Sequence, residues 1–99
     1  MDAEHIFKLS QKAKQDIDDL FDYVAFELRN GDAAEKTMRS MLDAFENLEY
    51  FPRMCPIYKG GYRKCIIRKR IVALYKIDET RKEIKIERVF HTLRNYKIK

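Results

Sequence analysis

The chain has 99 residues and a formal net charge of +5, with 45% hydrophobic, 37% charged and 12% aromatic residues. That length supports one domain, residues 1–99, around one core, and the aromatic content with only three Gly and two Pro argues against disorder. No apolar run approaches the ~18 residues of a membrane span, and the acidic start Met1-Asp2-Ala3-Glu4-His5 lacks a signal-peptide stretch, so a cytoplasmic protein without membrane contact is expected.

The net charge hides a division. Residues 1–52 carry six Lys/Arg against twelve Asp/Glu, whereas residues 53–99 carry fifteen against four. A half at −6 joined to a half at +11 predicts one surface for a cationic partner and another for a polyanion.

His5-Ile6-Phe7-Lys8-Leu9 reads as a short strand, and Ser10 is a natural N-cap for a following helix. From Gln11 the period changes. Ile17, Leu20, Phe21, Val24, Ala25 and Leu28 form one helical stripe, with Asp16, Asp18, Asp19, Asp22 and Glu27 mainly off it. Asn30-Gly31 is the expected stop, and Asp32 with Glu35 three residues on the expected cap of a second helix. Met38, Met41, Leu42, Phe45 and Leu48 repeat the spacing until Phe51-Pro52, because a residue before proline avoids the helical region.

Residues 53–61, with Pro56 and Gly60-Gly61, read as a loop. Tyr62 to Arg68 is a strand, Arg68-Lys69-Arg70 a tight turn, and Ile71 to Ile77 a nearly continuous apolar central strand. A polar turn over Asp78 to Lys82 leads to a strand from Glu83 to His91, with Ile84, Ile86, Arg88 and Phe90 assigned to one face. The order β-α-α-β-β-β predicts an α+β fold, a helical hairpin packed on a small, mostly antiparallel twisted sheet. In that packing Leu20, Val24, Leu28, Met41, Leu42 and Phe45 should meet Val72, Leu74 and Ile86.

Cys55 and Cys65 lie ten residues apart with no CxxC and no histidine at zinc spacing, so two reduced thiols and no metal site are expected. No Gly-rich phosphate loop or GxSxG elbow exists, so neither a cofactor nor a standard catalytic motif is indicated. What remains is a basic half laced with tyrosines. Arg63, Lys64, Arg68, Lys69, Arg70, Arg88 and Arg94 are candidates for binding a target or nucleic acid, since guanidinium and ammonium groups suit phosphate oxygens. The run His91-Thr92-Leu93-Arg94-Asn95-Tyr96 is the other cluster with chemical potential. A histidine moves protons near neutral pH, an arginine stabilises phosphorane charge, and a tyrosine exchanges a proton or stacks on a base. From composition and spacing alone, the simpler reading of the same run is a solvated end of an edge strand with His91 a surface residue.

The phrases Leu9-Ser10-Gln11-Lys12-Ala13-Lys14-Gln15-Asp16, Tyr23-Val24-Ala25, Ala33-Ala34 and Leu48-Glu49-Tyr50-Phe51-Pro52, in that order, resemble a known family. Gly61-Tyr62-Arg63-Lys64, Leu74-Tyr75-Lys76-Ile77-Asp78 and Glu87-Arg88-Val89-Phe90-His91, with Arg94 and Tyr96, extend the resemblance over nearly the whole chain. The family is the RelE/ParE superfamily of bacterial toxins from type II toxin–antitoxin, or plasmid-stabilisation, modules. The resemblance implies a growth-arresting toxin neutralised by a cognate antitoxin protein. RelE-like members cut messenger RNA on the ribosome without a metal, and ParE-like members inhibit DNA gyrase. Ribonuclease members carry an arginine three residues before the central-strand tyrosine; counting back from Tyr75, Val72 stands there. This and the ending of the chain are more similar to the ParE side. A gyrase-directed toxin is therefore the first expectation and a messenger-RNA endonuclease the second, with a non-toxic stabilisation-module member as a third. In the second case His91 and Tyr96 would exchange protons while Arg63 and Arg94 clamp the phosphate.

Overall fold

The computed structural model describes residues 3–92. Strand β1 (Ile6–Leu9) leads into helix α1 (Gln11–Asp22), which widens into a π-helical stretch over Tyr23–Glu27. Helix α2 (Gly31–Tyr50) follows, then strands β2 (Ile57–Lys59), β3 (Tyr62–Ile67), β4 (Ile71–Asp78) and β5 (Glu83–His91). The five strands form one sheet in the order β1-β5-β4-β3-β2, antiparallel except for β1 against β5. The expected helical hairpin on a mostly antiparallel sheet is present, with β2 as a short edge strand inside the expected loop.

Local chemistry explains the boundaries. Ser10 Oγ accepts the Ala13 amide at 2.9 Å and donates to the Glu87 carbonyl at 2.8 Å, so one hydroxyl caps α1 and ties it to β5. The second helix is capped by Asn30, not Asp32: Asn30 Oδ1 accepts the Ala33 amide at 3.0 Å. Asn caps as well as Asp, and it comes first in the chain. The left-handed residue that closes the first helix is Arg29, at φ +53°, rather than Gly31.

The core lies between the hairpin and the sheet. Ala13, Leu20, Val24, Ala34, Met41, Phe45 and Leu48 pack against Ile71, Ala73, Tyr75, Ile84, Ile86 and Val89. Four expectations need correction. Leu28 and Leu42 are 44% and 48% exposed. The Leu28 amide reaches back to the Tyr23 carbonyl, five residues earlier, and this wider turn slips the helical phase so that Leu28 leaves the stripe. On α2 the buried positions Ala34, Thr37, Met41, Phe45 and Leu48 make a narrow stripe that passes Leu42. Val72 and Leu74 are buried, but strand alternation turns them away from Ile71, Ala73 and Tyr75 and hence from the helices.

The single face assigned to β5 is also corrected. Leu74 pairs with Arg88 and Tyr75 with Ile86, so Glu87 is an extra residue in β5 and the strand is bulged there. Before the bulge Ile84 and Ile86 face the helices; after it Val89 and His91 do, and Arg88 and Phe90 point to the other side. Asp16 of α1 serves the strand edge beyond β1. Its carboxylate accepts the Val89 amide at 2.9 Å and Arg88 Nε and Nη2 at 2.8 and 3.1 Å.

Candidate target interface

The cationic candidates fall into three places. Arg63 pairs across the sheet with Tyr75, on the helical-hairpin side, and is consumed by the fold. Its guanidinium donates to the Cys55 carbonyl at 2.8 Å and, at 3.5 Å, to that of Arg53. It clamps the segment that leaves α2. Three further ties act on that segment. Tyr75, fully buried, donates its hydroxyl to the Pro52 carbonyl at 2.7 Å, the Lys64 amide donates to the Pro56 carbonyl at 3.0 Å, and Cys55 is disulfide-bonded to Cys65. Burial raises the Tyr75 phenol above its ordinary value, against an opposing pull from the Arg63 charge.

The disulfide corrects the expectation of two reduced thiols. Ten residues of sequence conceal the proximity, because the short β2–β3 hairpin folds the chain back on itself. The two Cα atoms end 5.4 Å apart, within the span a disulfide bridges.

The second place is the tip of the β3–β4 hairpin. Arg68 and Lys69 are both left-handed, at φ +53° and +66°, positions where Asn-Gly is the low-energy choice. Each branched-away Cβ there costs on the order of 1 kcal/mol or more. Arg68 Nη1 donates to Ser40 Oγ of α2 at 3.3 Å, and the Arg70 carbonyl accepts the Thr92 amide at 2.7 Å. Arg68, Lys69 and Arg70 are exposed, so the tip projects three cations from a fixed base.

The third place is the sheet face turned away from the helices. Cross-strand rows there run Lys64–Leu74–Arg88 and Ile66–Val72–Phe90. Arg88 is held bidentately by Asp16, which raises its already high pKa, and its guanidinium carbon sits 4.7 Å from the Phe90 ring centre. Lys64 Nζ is 5.0 Å from the Tyr58 ring centre, and Lys76 Nζ 4.3 Å from that of Tyr62.

His91 belongs to none of these groups. It is 6% exposed on the helix side, its ring edge-on to Tyr23 at 5.1 Å. His91 pairs with Ile71, and Arg63 with Tyr75, four residues along β4. At ~3.3 Å per residue the two are separated by roughly 13 Å of strand. Arg94 and Tyr96 lie outside the described residues. Sequence reasoning missed Asp16 as the partner of Arg88 and Val89, since pairing across 72 residues leaves no local signal. It also missed Lys76, which stands over the Tyr62 ring.

No helix among the described residues is long and apolar enough to cross a membrane. A comparison with curated proteins finds no significant match. Solved structures are similar in fold: a chain of the chromosomal ParDE toxin–antitoxin system of P. aeruginosa matches with TM-score 0.74 and 21% identity, covering 89% of this chain and 96% of that one. A chain of the RelBE2 toxin–antitoxin complex of Mycobacterium tuberculosis matches with TM-score 0.63 and 17% identity, over 88% and 96%. The family model described as the ParE toxin of the type II toxin–antitoxin system parDE matches residues 7–96. With nearly its whole length accounted for, the chain belongs to the ParE toxin family of type II toxin–antitoxin systems.

Proposed function

We propose that this toxin arrests growth by docking on DNA gyrase, with no nucleolytic step of its own, and that a cognate antitoxin protein neutralises it. One observation carries the reading: among the described residues, His91 and Arg63, a proton-transfer group and a phosphate-binding group that a ribonuclease would need in one place, are separated. Metal-independent cleavage requires a base near the 2′-hydroxyl and a cation on the same phosphate. His91 is packed under Tyr23 at one end of the helix-side face, and Arg63 is spent on loop carbonyls toward the other. The docking groups are Lys64 and the Arg68-Lys69-Arg70 tip, with Arg94 as a further cation; Arg88, neutralised by Asp16, acts by shaping the strand. The left-handed backbone at Arg68 and Lys69 supports a functional tip, because an unstrained Asn-Gly turn would serve the fold better.

Controlled expression with and without the antitoxin tests the reading. Induction of a DNA-damage reporter with intact transcripts is expected. Growth should survive charge reversal at the tip (Arg68→Glu with Arg70→Glu) and still arrest with His91→Ala, provided both proteins accumulate. Transcript cleavage that His91→Ala abolishes would replace this reading with the endonuclease one.

A further inference from the structure

The sheet face turned away from the helical hairpin, with the first turn of α1 (Gln11, Lys12) at its edge, carries a pocket of about 590 Å³. That lies within the ~300–1,000 Å³ range of small-molecule sites. Tyr58, Tyr62 and Phe90 line it with Leu74 between the strands, and Lys12 and Lys59 stand at its margin. The aromatic walls and the cations are interleaved. Lys59 and Lys64 place ammonium groups 5.6 and 5.0 Å from the Tyr58 ring centre, and Lys76 places one 4.3 Å from that of Tyr62. Among the described residues none of Lys12, Lys59, Lys64 and Lys76 has a carboxylate partner within salt-bridge distance. One acid, Glu87 at the β5 bulge, reaches the lining.

We propose that this pocket binds an unpaired nucleotide of a single-stranded nucleic acid. The base stacks among Tyr58, Tyr62 and Phe90, and the flanking phosphates take the lysines. A purely acidic partner would use the cations and leave the apolar part of the pocket unfilled; a purely apolar one would leave the lysines unanswered. A nucleotide answers both. The stacking itself is sequence-tolerant, since every base has a π-face. Lys64 belongs also to the proposed gyrase-docking surface, whereas Tyr58, Tyr62 and Phe90 belong to the nucleotide site alone.

The test is a fluorescence-anisotropy titration of the full-length chain, freed from its antitoxin, with labelled oligothymidylate and oligouridylate. Thymidine monophosphate and a duplex of matched length compete. Saturable binding of single strands is expected, falling steeply as salt rises. Stacking by one aromatic is worth ~1–3 kcal/mol, so Tyr58→Ala and Tyr62→Ala should each weaken binding about 5- to 150-fold. Glu87→Gln should tighten it, and circular dichroism would establish that all three variants fold. Preference for the thymidylate or the uridylate strand distinguishes DNA from RNA as the source; either supports the site. No saturable binding at low salt, equal binding of duplex, or binding untouched by both tyrosine variants would overturn the proposal. None of those failures bears on gyrase inhibition, which is measured without oligonucleotides.

Discussion

Replacing Asp16 by alanine removes an acceptor from three donors at once: the Val89 amide and both bonding nitrogens of Arg88. The Asp16 side chain is only 13% exposed, whereas that of Arg88 is 38% exposed. Hydrogen bonds to a charged group contribute about 1.5–3 kcal/mol, and a buried amide left without an acceptor costs about 1–3 kcal/mol. Arg88 can turn toward water, so its share is discounted toward the ~0–1 kcal/mol of a surface pair. The expected total for Asp16→Ala is about 2–4 kcal/mol, or a fall in melting midpoint of roughly 10–20 °C for a domain of this size. Asp16→Asn keeps a carbonyl oxygen for Val89 but loses the charge, and should cost about half as much. Arg88→Met should cost least, because the Val89 bond survives. Urea unfolding, which leaves ion pairs unscreened, measures all three with the double variant closing the cycle. If Asp16→Ala stayed within ~0.5 kcal/mol of the parent chain, the bulge at Glu87 and the joining of α1 to β5 would be wrong.

The folded-state pKa of Tyr75 is raised, so its contribution is complete below pH ~10 and is lost as pH climbs through the folded value, where the unfolded phenol has already ionised. Melts between neutral pH and pH ~11 should show an alkaline loss that Tyr75→Phe reduces, at a cost of about 1–2 kcal/mol at neutral pH for the missing bond to Pro52. Reducing the Cys55–Cys65 disulfide reopens a ten-residue loop, worth about 2–3 kcal/mol by chain entropy, so a dithiol should lower the melting midpoint of the parent chain and leave Cys55→Ser unmoved. Leu48→Ala should cost about 2–5 kcal/mol at a site 1% exposed, whereas Leu42→Ala, 48% exposed, should cost less than ~1 kcal/mol; equal losses would refute the assigned face of α2.

Much of this fold was legible because its signals are local. The hydroxyl of Ser10, the Phe51-Pro52 stop and the apolar run of β4 each act within a few residues. What escaped depends on distant partners or on a phase slip. The π-helical turn at Tyr23–Glu27 moved Leu28 out of the core, and the bulge at Glu87 put Arg88 and Phe90 on the other face from Ile86. Both change which side of an element a residue occupies without changing the element, so periodicity alone passes over them. Val72 and Leu74 were read as core correctly in burial and wrongly in direction, since a strand buried on both faces does not alternate in composition. The disulfide was hidden for a related reason: a three-residue edge strand brings Cys55 beside Cys65, and such a strand leaves almost no pattern. At the site, the types of charge were legible and their engagement was not. Arg63 and Arg88 look alike in sequence to Lys64 and Lys69, yet the first two are bound into the fold.

The activity of purified gyrase gives the most direct test. DNA supercoiling is measured with increasing amounts of the full-length toxin, with and without its cognate antitoxin, beside an assay of purified messenger RNA on ribosomes under the same conditions. Docking on gyrase predicts that the toxin inhibits supercoiling, that the antitoxin relieves it, that His91→Ala inhibits as well as the parent chain, and that messenger RNA stays whole. Undiminished supercoiling together with cleaved messenger RNA would contradict it.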